Sequence, residues 1–417
     1  MKILHTADWH LGDTFHGFDR TDEHRHFLEW LTQTIEEQQP DVMLLSGDIF
    51  DSPNPSAAAE RLFYDYLCRI ASINKGMQTL LIAGNHDSSS RLEAPASMLG
   101  QFGIEVRGTV ARDKDRKADY GHLLIPVTAK DNLDDKAIVM AMPFLRPDDY
   151  EEGETVSQGI RRFIAGLKQK AVEQYGNTVP LILMAHFYAA GSEINADEHS
   201  ERLVVGGLDC VNCASLGNGI TYAALGHIHK AQHVANQPNV CYPGSVLPMS
   251  FSEKDYKHGV NLIDVNPQEA KIERLAYEPL RKLVSIPEDG SANYEEVLKL
   301  IAKLPKVRKV EENDDWPYAE IKVNELHPNP SMANGIATAM EERQARLCRI
   351  VRVRPTGEPA GDTAPIATTE DLRKLNPALL ARDIYKNVYG EEMPDEIARL
   401  FAQAKRSAEA IEADNND

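Results

Sequence analysis

The chain has 417 residues, a length that suggests two or three domains. Apolar residues make up 42% of it, enough for at least one sizeable core, and 26% charged residues argue against wholesale disorder. The formal net charge of −19 excludes a simple basic nucleic-acid coat protein. No apolar run approaches the roughly 18 residues of a membrane-spanning helix, and the N-terminus turns polar too early for a signal peptide. The five cysteines are scattered and predict reduced thiols in a cytoplasmic protein.

The first 270 residues alternate short apolar runs with segments of helical spacing. Runs this short and continuously apolar predict strands that are buried on both faces. They are Lys2–Thr6, Val42–Ser46, Thr79–Ala83, Ala137–Met142, Leu181–Ala185 and Thr221–Leu225. The intervening segments, such as Asp22–Gln38 and Ser56–Ala71, predict helices. This alternation is typical of an α/β sandwich, and we assign it to residues 1–274.

The pattern changes after residue 274. Residues 275–354 predict a small α+β unit with strands at Leu283–Ile286, Tyr318–Val323 and Ile350–Arg354 and helices at Tyr294–Leu304 and Met332–Arg346.

Two further segments complete the chain. Residues 355–369 are rich in proline and glycine and predict a linker. Residues 370–417 contain two short amphipathic helical patterns, Leu379–Val388 and Asp395–Ala404. Two short helices on a linker bury little by themselves, so we expect this tail to dock on a partner chain or on the protein's own body.

Polar residues follow five of the predicted strands. In open α/β sheets, ligands bind beyond the carboxyl ends of the strands, so these residues are expected to converge on one surface. Each cluster alone has an ordinary structural explanation, such as a turn or a hydrogen-bonded histidine, but the whole set does not. The seven candidate ligands are Asp8, His10, Asp48, Asn85, His186, His227 and His229.

The types of side chain indicate which metals would bind. Imidazole together with carboxylate and amide oxygen suits Mn²⁺, Fe²⁺ or Zn²⁺, whereas a set of oxygens alone would suit Mg²⁺ or Ca²⁺. Seven ligands are too many for one tetrahedral ion but suit two ions that share a carboxylate. Paired ions of this kind clamp the attacking and leaving oxygens of a phosphoryl transfer.

The order of these motifs resembles the calcineurin-like metallophosphoesterases. The motifs are Asp-x-His at Asp8, Gly-Asp-x-x-Asp at Gly47, Gly-Asn-His-Asp at Gly84, an isolated His186 and Gly-His-x-His at Gly226. The flanking residues HTADWHLG, GDIFD and ALGHIHK, and the segment YPGS, are similar to those of the bacterial SbcD branch of the Mre-type nucleases. The resemblance covers essentially the whole chain. It implies a sandwich of two mixed β-sheets flanked by helices, a small capping domain over residues 275–354 and a helical tail.

The resemblance also implies a role for each residue. Asp8, His10 and His229 would hold one metal ion, Asn85, His186 and His227 would hold a second, and Asp48 would bridge them; the ions would be Mn²⁺. His86 would be the general acid that protonates the leaving 3′ oxygen. Asp51 would orient His86, unless it is only a turn or helix-cap residue. Arg20 and Asp87 lie near the motifs, and their roles stay open.

The same resemblance implies activity and partners. It implies ATP-dependent double-strand 3′–5′ exonuclease and single-strand or hairpin endonuclease activity in DNA repair, replication and recombination, in the cytoplasm at the nucleoid. The sequence has no Gly-x-x-x-x-Gly-Lys-Ser/Thr loop, so ATP dependence requires a partner, which the family supplies as an SbcC-type ATPase with a long coiled coil. We expect residues 370–417 to dock on that coiled coil. The family also forms homodimers, and the candidate contact residues here are Leu62, Phe63, Met98, Leu99 and Phe102.

Two basic groups in the capping domain are candidates for phosphate contacts, with solvated protein surface as the alternative. They are Lys303, Lys306, Arg308 and Lys309, and Arg343, Arg346, Arg349, Arg352 and Arg354.

Other functions fit the sequence less well. The main alternative is a small-substrate phosphodiesterase or nucleotidase of the same superfamily, which would not need residues 275–417. Protein phosphatases of the superfamily usually carry Arg-Gly and Glu where this chain has Ser52-Pro53 and Asp87. A non-catalytic scaffold would be expected to have lost at least one ligand, and none is missing. Cys210 and Cys213 form a lone Cys-x-x-Cys, for which we predict neither a redox nor a zinc role.

Overall fold

A computed structural model describes residues 1–190, 192–193, 211, 216–234, 237–266, 269–307, 315–324, 330–353, 385, 393–394, 397–398 and 400. Its strands are β1 (Lys2–Thr6), β2 (Thr14–Phe15), β3 (Phe18–Asp19), β4 (Val42–Ser46), β5 (Gln78–Ile82), β6 (Ile104–Arg107), β7 (Leu124–Thr128), β8 (Lys136–Ala141), β9 (Leu181–His186), β10 (Tyr222–Gly226), β11 (Gln232–Val234), β12 (Gln237–Tyr242), β13 (Gly259–Val265), β14 (Ala270–Ala276), β15 (Leu283–Ile286), β16 (Tyr318–Asn324) and β17 (Arg346–Val353). Its α-helices are α1 (Thr21–Gln38), α2 (Ala57–Ile73), α3 (Ser89–Glu93), α4 (Ala96–Leu99), α5 (Val156–Tyr175), α6 (Tyr294–Ile301) and α7 (Pro330–Glu341).

Two six-stranded mixed sheets form the first domain. The first has the order β14-β13-β1-β4-β5-β6, in which β1, β4, β5 and β6 are parallel and β13 and β14 are antiparallel. The second has the order β11-β12-β10-β9-β8-β7, with a parallel centre of β8, β9, β10 and β12. The predicted sandwich of two mixed sheets is confirmed.

Successive side chains of each central strand point to opposite faces of the sheet and so pack into two different apolar layers. In β4, Val42 and Leu44 face the second sheet, while Met43 and Leu45 face the apolar cluster that contains residues of α1 and α2. Residues of α5 cover the outer face of the second sheet in the same way. Both faces of the central strands are therefore buried, which is why they read as continuous apolar runs.

The region predicted as the capping domain contains a three-stranded parallel sheet with the order β15-β16-β17, and α6 and α7 share its apolar core. The predicted helix to residue 346 is wrong at its end, because α7 ends at Glu341 and β17 begins at Arg346. Arg343 lies in the connection, where its guanidinium donates to the carbonyls of Ala302 and Leu304. Strand β14 continues to Ala276, two residues beyond the boundary placed at residue 274.

Several predictions lie outside the described residues. They are the linker at 355–369, most of the tail at 370–417, and Cys210, Cys213, Arg308, Lys309 and Arg354. In the part of the chain that the structure describes, no helix is both long and apolar enough to cross a membrane.

Candidate metal centre

The parallel strands deliver the predicted ligands to one place. Asp8 and His10 follow β1, Asp48 follows β4, Asn85 follows β5, and His227 and His229 follow β10, while His186 ends β9. The two sheets meet here, because the Nδ1–H of His186 donates to the carbonyl of Ser46 at 2.8 Å and the Ser46 hydroxyl donates to the carbonyl of Ala224 at 3.0 Å. Residues more than 200 positions apart thereby share one surface, as the topology predicts.

Four of these residues have positive backbone φ angles, which are unusual for residues other than glycine. The φ values are +54° at Asp8, +47° at His10, +48° at Asp48 and +105° at His227. Positive φ costs a residue with a Cβ about 1–3 kcal/mol and persists where the surroundings enforce it. Such clustering is typical of functional sites, and here it turns the side chains at the strand ends toward one another.

One group of side chains comprises Asp8, His10 and His229. One ligand atom from each of the three lies within 4.8 Å of the other two, and all three residues are buried. Glu253 orients the ring of His229, because one of its carboxylate oxygens lies 3.2 Å from Nδ1 of His229. Both carboxylate oxygens of Asp8 accept from the backbone N–H of His227, at 2.9 and 3.2 Å.

A second group comprises Asp48, His186 and His227, whose ligand atoms also lie within 4.8 Å of one another. Asn85 completes it, because its side-chain oxygen lies 2.9 Å from Nε2 of His186 and 3.1 Å from Nδ1 of His227. Asp48 also groups with His10. It therefore lies between the two groups, where a bridging carboxylate would have to be.

The buried polar atoms of the site fit divalent metal ions. Within the described residues, Nε2 of His10 has no hydrogen-bond partner, although the residue is only 2% exposed, and its Nδ1 lies 3.5 Å from the Asp51 carboxylate. A buried ring nitrogen without a partner is costly unless something binds it. Ligand atoms that share an ion at about 2.0–2.2 Å lie about 3 Å apart, which matches the distances from the Asn85 oxygen to His186 and to His227.

The charges of the site favour a cation. Burial would raise the pKa of the Asp48 carboxyl, but the imidazoles of His186, His10 and His86 hold it well below its usual range. Burial would lower the pKa of His186, but Asp48 and Asp8 raise it to about 9. Burial and the neighbouring His186 lower the pKa of His227 to about 3. Asp48 is therefore ionised and His227 is neutral at pH 7, which are the forms that bind metal, whereas His186 must release a proton when an ion binds.

His86 lies beside the ligands and is held by a backbone group. Its Nδ1–H donates to the main-chain carbonyl of Asp51 at 2.7 Å, and its backbone N–H donates to Asp48 at 2.8 Å. The carboxylate of Asp51 instead lies 3.5 Å from Nδ1 of His10. Helix α2 takes Ser56 as its N-cap, so Asp51 is not the cap residue. The contact between Asp51 and His86 is thus made by the backbone carbonyl of Asp51.

Asp87, whose role the sequence left open, fastens the loops of the site together. Its buried carboxylate accepts from the backbone N–H groups of Gly84, Ile49 and Phe50 at 2.8, 3.2 and 3.0 Å. Burial and the charge of Asp48 raise its pKa to about 6. Asp87 thereby ties the Asp48 turn to the Asn85 loop.

Sequence reasoning missed two further residues. Glu253 supports His229, and Arg146 donates to the carbonyl of Asp87 at 2.8 Å and of Gly84 at 3.3 Å. Neither lies in a recognisable motif. Only the fold brings them to the site.

Comparison with known proteins agrees with this geometry. Residues 1–231 match the family model described as calcineurin-like phosphoesterase, and residues 279–389 match the type 5 capsule protein repressor C-terminal domain, which is the SbcD C-terminal family. A Rhodobacter capsulatus protein named as the SbcD component of the nuclease SbcCD is 33% identical over 390 residues, which cover 91% of this chain and 93% of that protein. The chain belongs to the SbcD family of calcineurin-like phosphoesterases.

Two further SbcD relatives carry the same name. The one from Bacillus subtilis is 32% identical over 64% of this chain and 67% of its own length, and the one from Escherichia coli K12 is 28% identical over 63% and 64%. Family membership makes this chain a hydrolase that uses divalent metal ions. The buried groups around Asp48 are where its own residues offer ligands for them.

Proposed function

We propose that this chain is the nuclease component of an SbcCD-type complex and hydrolyses DNA phosphodiesters with two Mn²⁺ ions. The observation that carries the proposal is the pair of buried ligand groups that share Asp48. It acts as an ATP-dependent double-strand 3′–5′ exonuclease and a single-strand or hairpin endonuclease, in the cytoplasm at the nucleoid. Its relatives are named as components of the nuclease SbcCD.

The ligands divide between two ions. Asp8, His10 and His229 would hold one, Asn85, His186 and His227 would hold the other, and Asp48 would contribute to both. When bound, such paired ions lower the pKa of a water molecule and stabilise the charge that develops on the phosphate. The protein supplies a buried, preorganised set of donors, in which Ser46 and Glu253 fix the orientation of His186 and His229.

His86 supplies the proton for the leaving oxygen. The Asp51 carbonyl accepts from its Nδ1–H, which leaves Nε2 as the ring nitrogen for the substrate. A positioned acid of this kind typically contributes about 10²–10⁴ in rate. His86 packs edge-on against His10, with ring centroids 4.9 Å apart, so the acid lies next to a metal ligand.

The capping domain contributes to DNA seating through its exposed basic residues. Arg343, Arg346 and Arg349 have partners within the protein: carbonyls of Ala302 and Leu304 for Arg343, aromatic rings for Arg346, and Glu320 for Arg349. The exposed Lys303 and Lys306 are better placed for phosphates.

An SbcC-type ATPase and a second copy of the chain complete the proposed assembly. The tail at 370–417 docks on the coiled coil of the ATPase, and the apolar side chains of Ile397 and Leu400 are 40% and 63% exposed. Of the candidate dimer residues, Phe63 and Leu99 are buried in the core, whereas Met98 and Phe102 are 62% and 55% exposed. The dimer contact therefore uses Met98 and Phe102.

One experiment separates this function from a small-substrate phosphodiesterase. The purified chain and its His86→Ala variant are incubated with Mn²⁺, with and without the ATPase, on a hairpin-capped duplex and on a chromogenic phosphodiester. We expect wild type to cleave the hairpin duplex and the variant to lose this cleavage with its metal content intact. Ester hydrolysis with intact DNA in the presence of ATPase and ATP would favour the small-substrate enzyme instead.

A further inference from the structure

A buried ionic network joins the first domain to the capping domain. Arg20, which immediately precedes α1, and Glu23, on the first turn of α1, have fully buried side chains. Two guanidinium nitrogens of Arg20 each lie 3.2 Å from a Glu23 oxygen. From the capping domain, the hydroxyl of Tyr318 on β16 donates to Glu23 at 2.7 Å. The side chains that join the two domains here are thus polar or charged and are shielded from water.

The network continues from Arg20 to the metal ligand His229. Nη1 of Arg20 donates to the carbonyl of Pro248 at 2.8 Å. The next residue, Met249, donates its backbone N–H to Glu253 at 2.8 Å. The other oxygen of Glu253 lies 3.2 Å from Nδ1 of His229. The path from Tyr318 to His229 therefore consists of hydrogen bonds and one peptide bond.

A second branch reaches His10. Nη1 of Arg20 lies 3.1 Å from the Asp13 carboxylate, and the backbone N–H of Asp13 donates to the carbonyl of His10 at 3.0 Å. Both branches therefore end in the group formed by Asp8, His10 and His229, and not in the group around His186.

Adhesion between the domains does not require this network. Phe15 and Phe251 of the first domain already pack against Leu283 and Tyr318 of the capping domain in an apolar cluster. A buried ion pair adds little net stability compared with apolar packing, but it fixes geometry strictly, because a displaced charge loses its partner in a region of low dielectric. The network is thus suited to positioning.

We propose that Tyr318, Glu23 and Arg20 are positioning residues that couple the seating of the capping domain to the metal affinity of the Asp8, His10 and His229 group. The inference rests on the proposed two-metal function. A capping domain in its closed position holds Glu23 and Arg20 in place, and Arg20 then holds the segments that carry Glu253 and His10. A capping domain that moves away releases them.

The test measures Mn²⁺ binding to the full chain, which is monitored by electron paramagnetic resonance during titration with MnCl₂. Tyr318→Phe removes the hydroxyl and keeps the ring that packs on Phe15. We expect one of the two sites to bind Mn²⁺ about tenfold more weakly, in the range typical of outer-shell partners of metal ligands. Tyr277→Phe is the matched control, because its buried hydroxyl lies 2.8 Å from His26 and outside the network.

A second variant extends the test to a double-mutant cycle. Arg20→Lys keeps the charge but cannot contact Glu23 and the Pro248 carbonyl together. If both substitutions act through one path, the double variant binds Mn²⁺ no more weakly than the single variant of lower affinity.

Unchanged Mn²⁺ affinity in Tyr318→Phe, or additive losses of affinity in the double variant, would overturn the inference. If Tyr318→Phe does not fold, Arg20→Lys alone decides: weakening at one site supports the coupling, and unchanged binding refutes it. A wild type that binds fewer than two Mn²⁺ would instead contradict the proposed function.

Discussion

The Nδ1 atom of His86 lies 2.7 Å from the main-chain carbonyl oxygen of Asp51, and the Asp51 carboxylate points to a different histidine. A backbone acceptor orients an imidazole ring as a carboxylate would. Any residue at position 51 that preserves the turn would provide this carbonyl.

Asp51→Ala is therefore expected to be far milder than His86→Ala. We expect His86→Ala to lower the rate of DNA cleavage by about 10²–10⁴ with its Mn²⁺ content intact, because it removes the proton donor. Asp51→Ala keeps the carbonyl and should cost about tenfold or less. Single-turnover cleavage of a hairpin duplex measures both. Equal losses in the two variants would mean that the Asp51 side chain itself takes part in the reaction.

Metal removal should destabilise the protein, and Asp48 should control the effect. Ions that bind only the folded state stabilise it by about 2.7 kcal/mol at a concentration of 100 Kd. We expect a chelator to lower the melting temperature of wild type and to have little effect on Asp48→Asn, which loses the carboxylate common to both ligand groups.

Asp65→Asn is a control for the loss of one carboxylate, since Asp65 lies on α2 outside the ligand groups. It should keep the full chelator response. A normal response in Asp48→Asn would show that Asp48 is not needed to hold the ions.

Gly84→Ala should abolish metal binding for a steric reason. A Cβ at this position would lie 2.1 Å from Oδ1 of Asp48 and 2.3 Å from its backbone nitrogen. We expect a loss of about 1–3 kcal/mol in the free energy of unfolding, together with loss of bound Mn²⁺, because Asp48 must move. Gly100→Ala is the control, since nothing lies within 4 Å of its Cβ. Denaturant unfolding and metal analysis measure the two effects, and full Mn²⁺ content in Gly84→Ala would contradict the prediction.

The sequence was most informative where local pattern and topology agree. Strands β1 and β4 match their predicted bounds, because their apolar runs are continuous and end at polar residues. The ligands follow from the strand ends, so their convergence was predictable from the fold class alone. Their individual metal assignments remain predictions.

The supporting residues were not predictable in the same way. Glu253 lies 24 positions from His229 in a short 3-10 helix, and no local signal connects the two. Residues 342–346 continue the helical spacing of α7, but pairing of Arg346 with Tyr318 in the capping sheet decides their conformation. Both depend on contacts between segments that are far apart in sequence, which spacing alone does not encode.

Acid should destabilise the fold through its buried histidines. Burial lowers the pKa of His5 to about 3, of His24 to about 3 and of His258 to about 4. In the unfolded chain these groups have a pKa of about 6.5, so below that pH the unfolded state binds more protons than the folded state. Their stabilisation is complete above pH 6.5 and is lost as pH falls toward 4, by up to about 1.4 kcal/mol per pH unit for each group.

Urea unfolding at pH 7.5, 6 and 5, with chelator present to remove metal linkage, measures this slope. His258→Asn can still donate to the Ser245 carbonyl, which His258 contacts at 2.8 Å, but it does not titrate. We expect the free energy of unfolding of this variant to fall less steeply with acid than that of wild type. The difference in slope corresponds to the uptake of one proton. Parallel curves would mean that His258 is charged in the folded protein.

Removal of the tail should separate partner binding from chemistry. We expect a chain truncated after residue 369 to lose co-purification with the SbcC-type ATPase, because the apolar faces of the tail bury little unless they dock on a partner. Hydrolysis of a small chromogenic ester should be spared, since every proposed ligand lies before residue 230. The double substitution Ile397→Asp and Leu400→Asp, which places charge on two exposed apolar side chains, should have the same effect in the full-length chain. Lys405→Ala is a matched control in the same segment. Retained co-purification of the truncated chain would refute the docking role and leave the protein's own body as the surface that the tail covers.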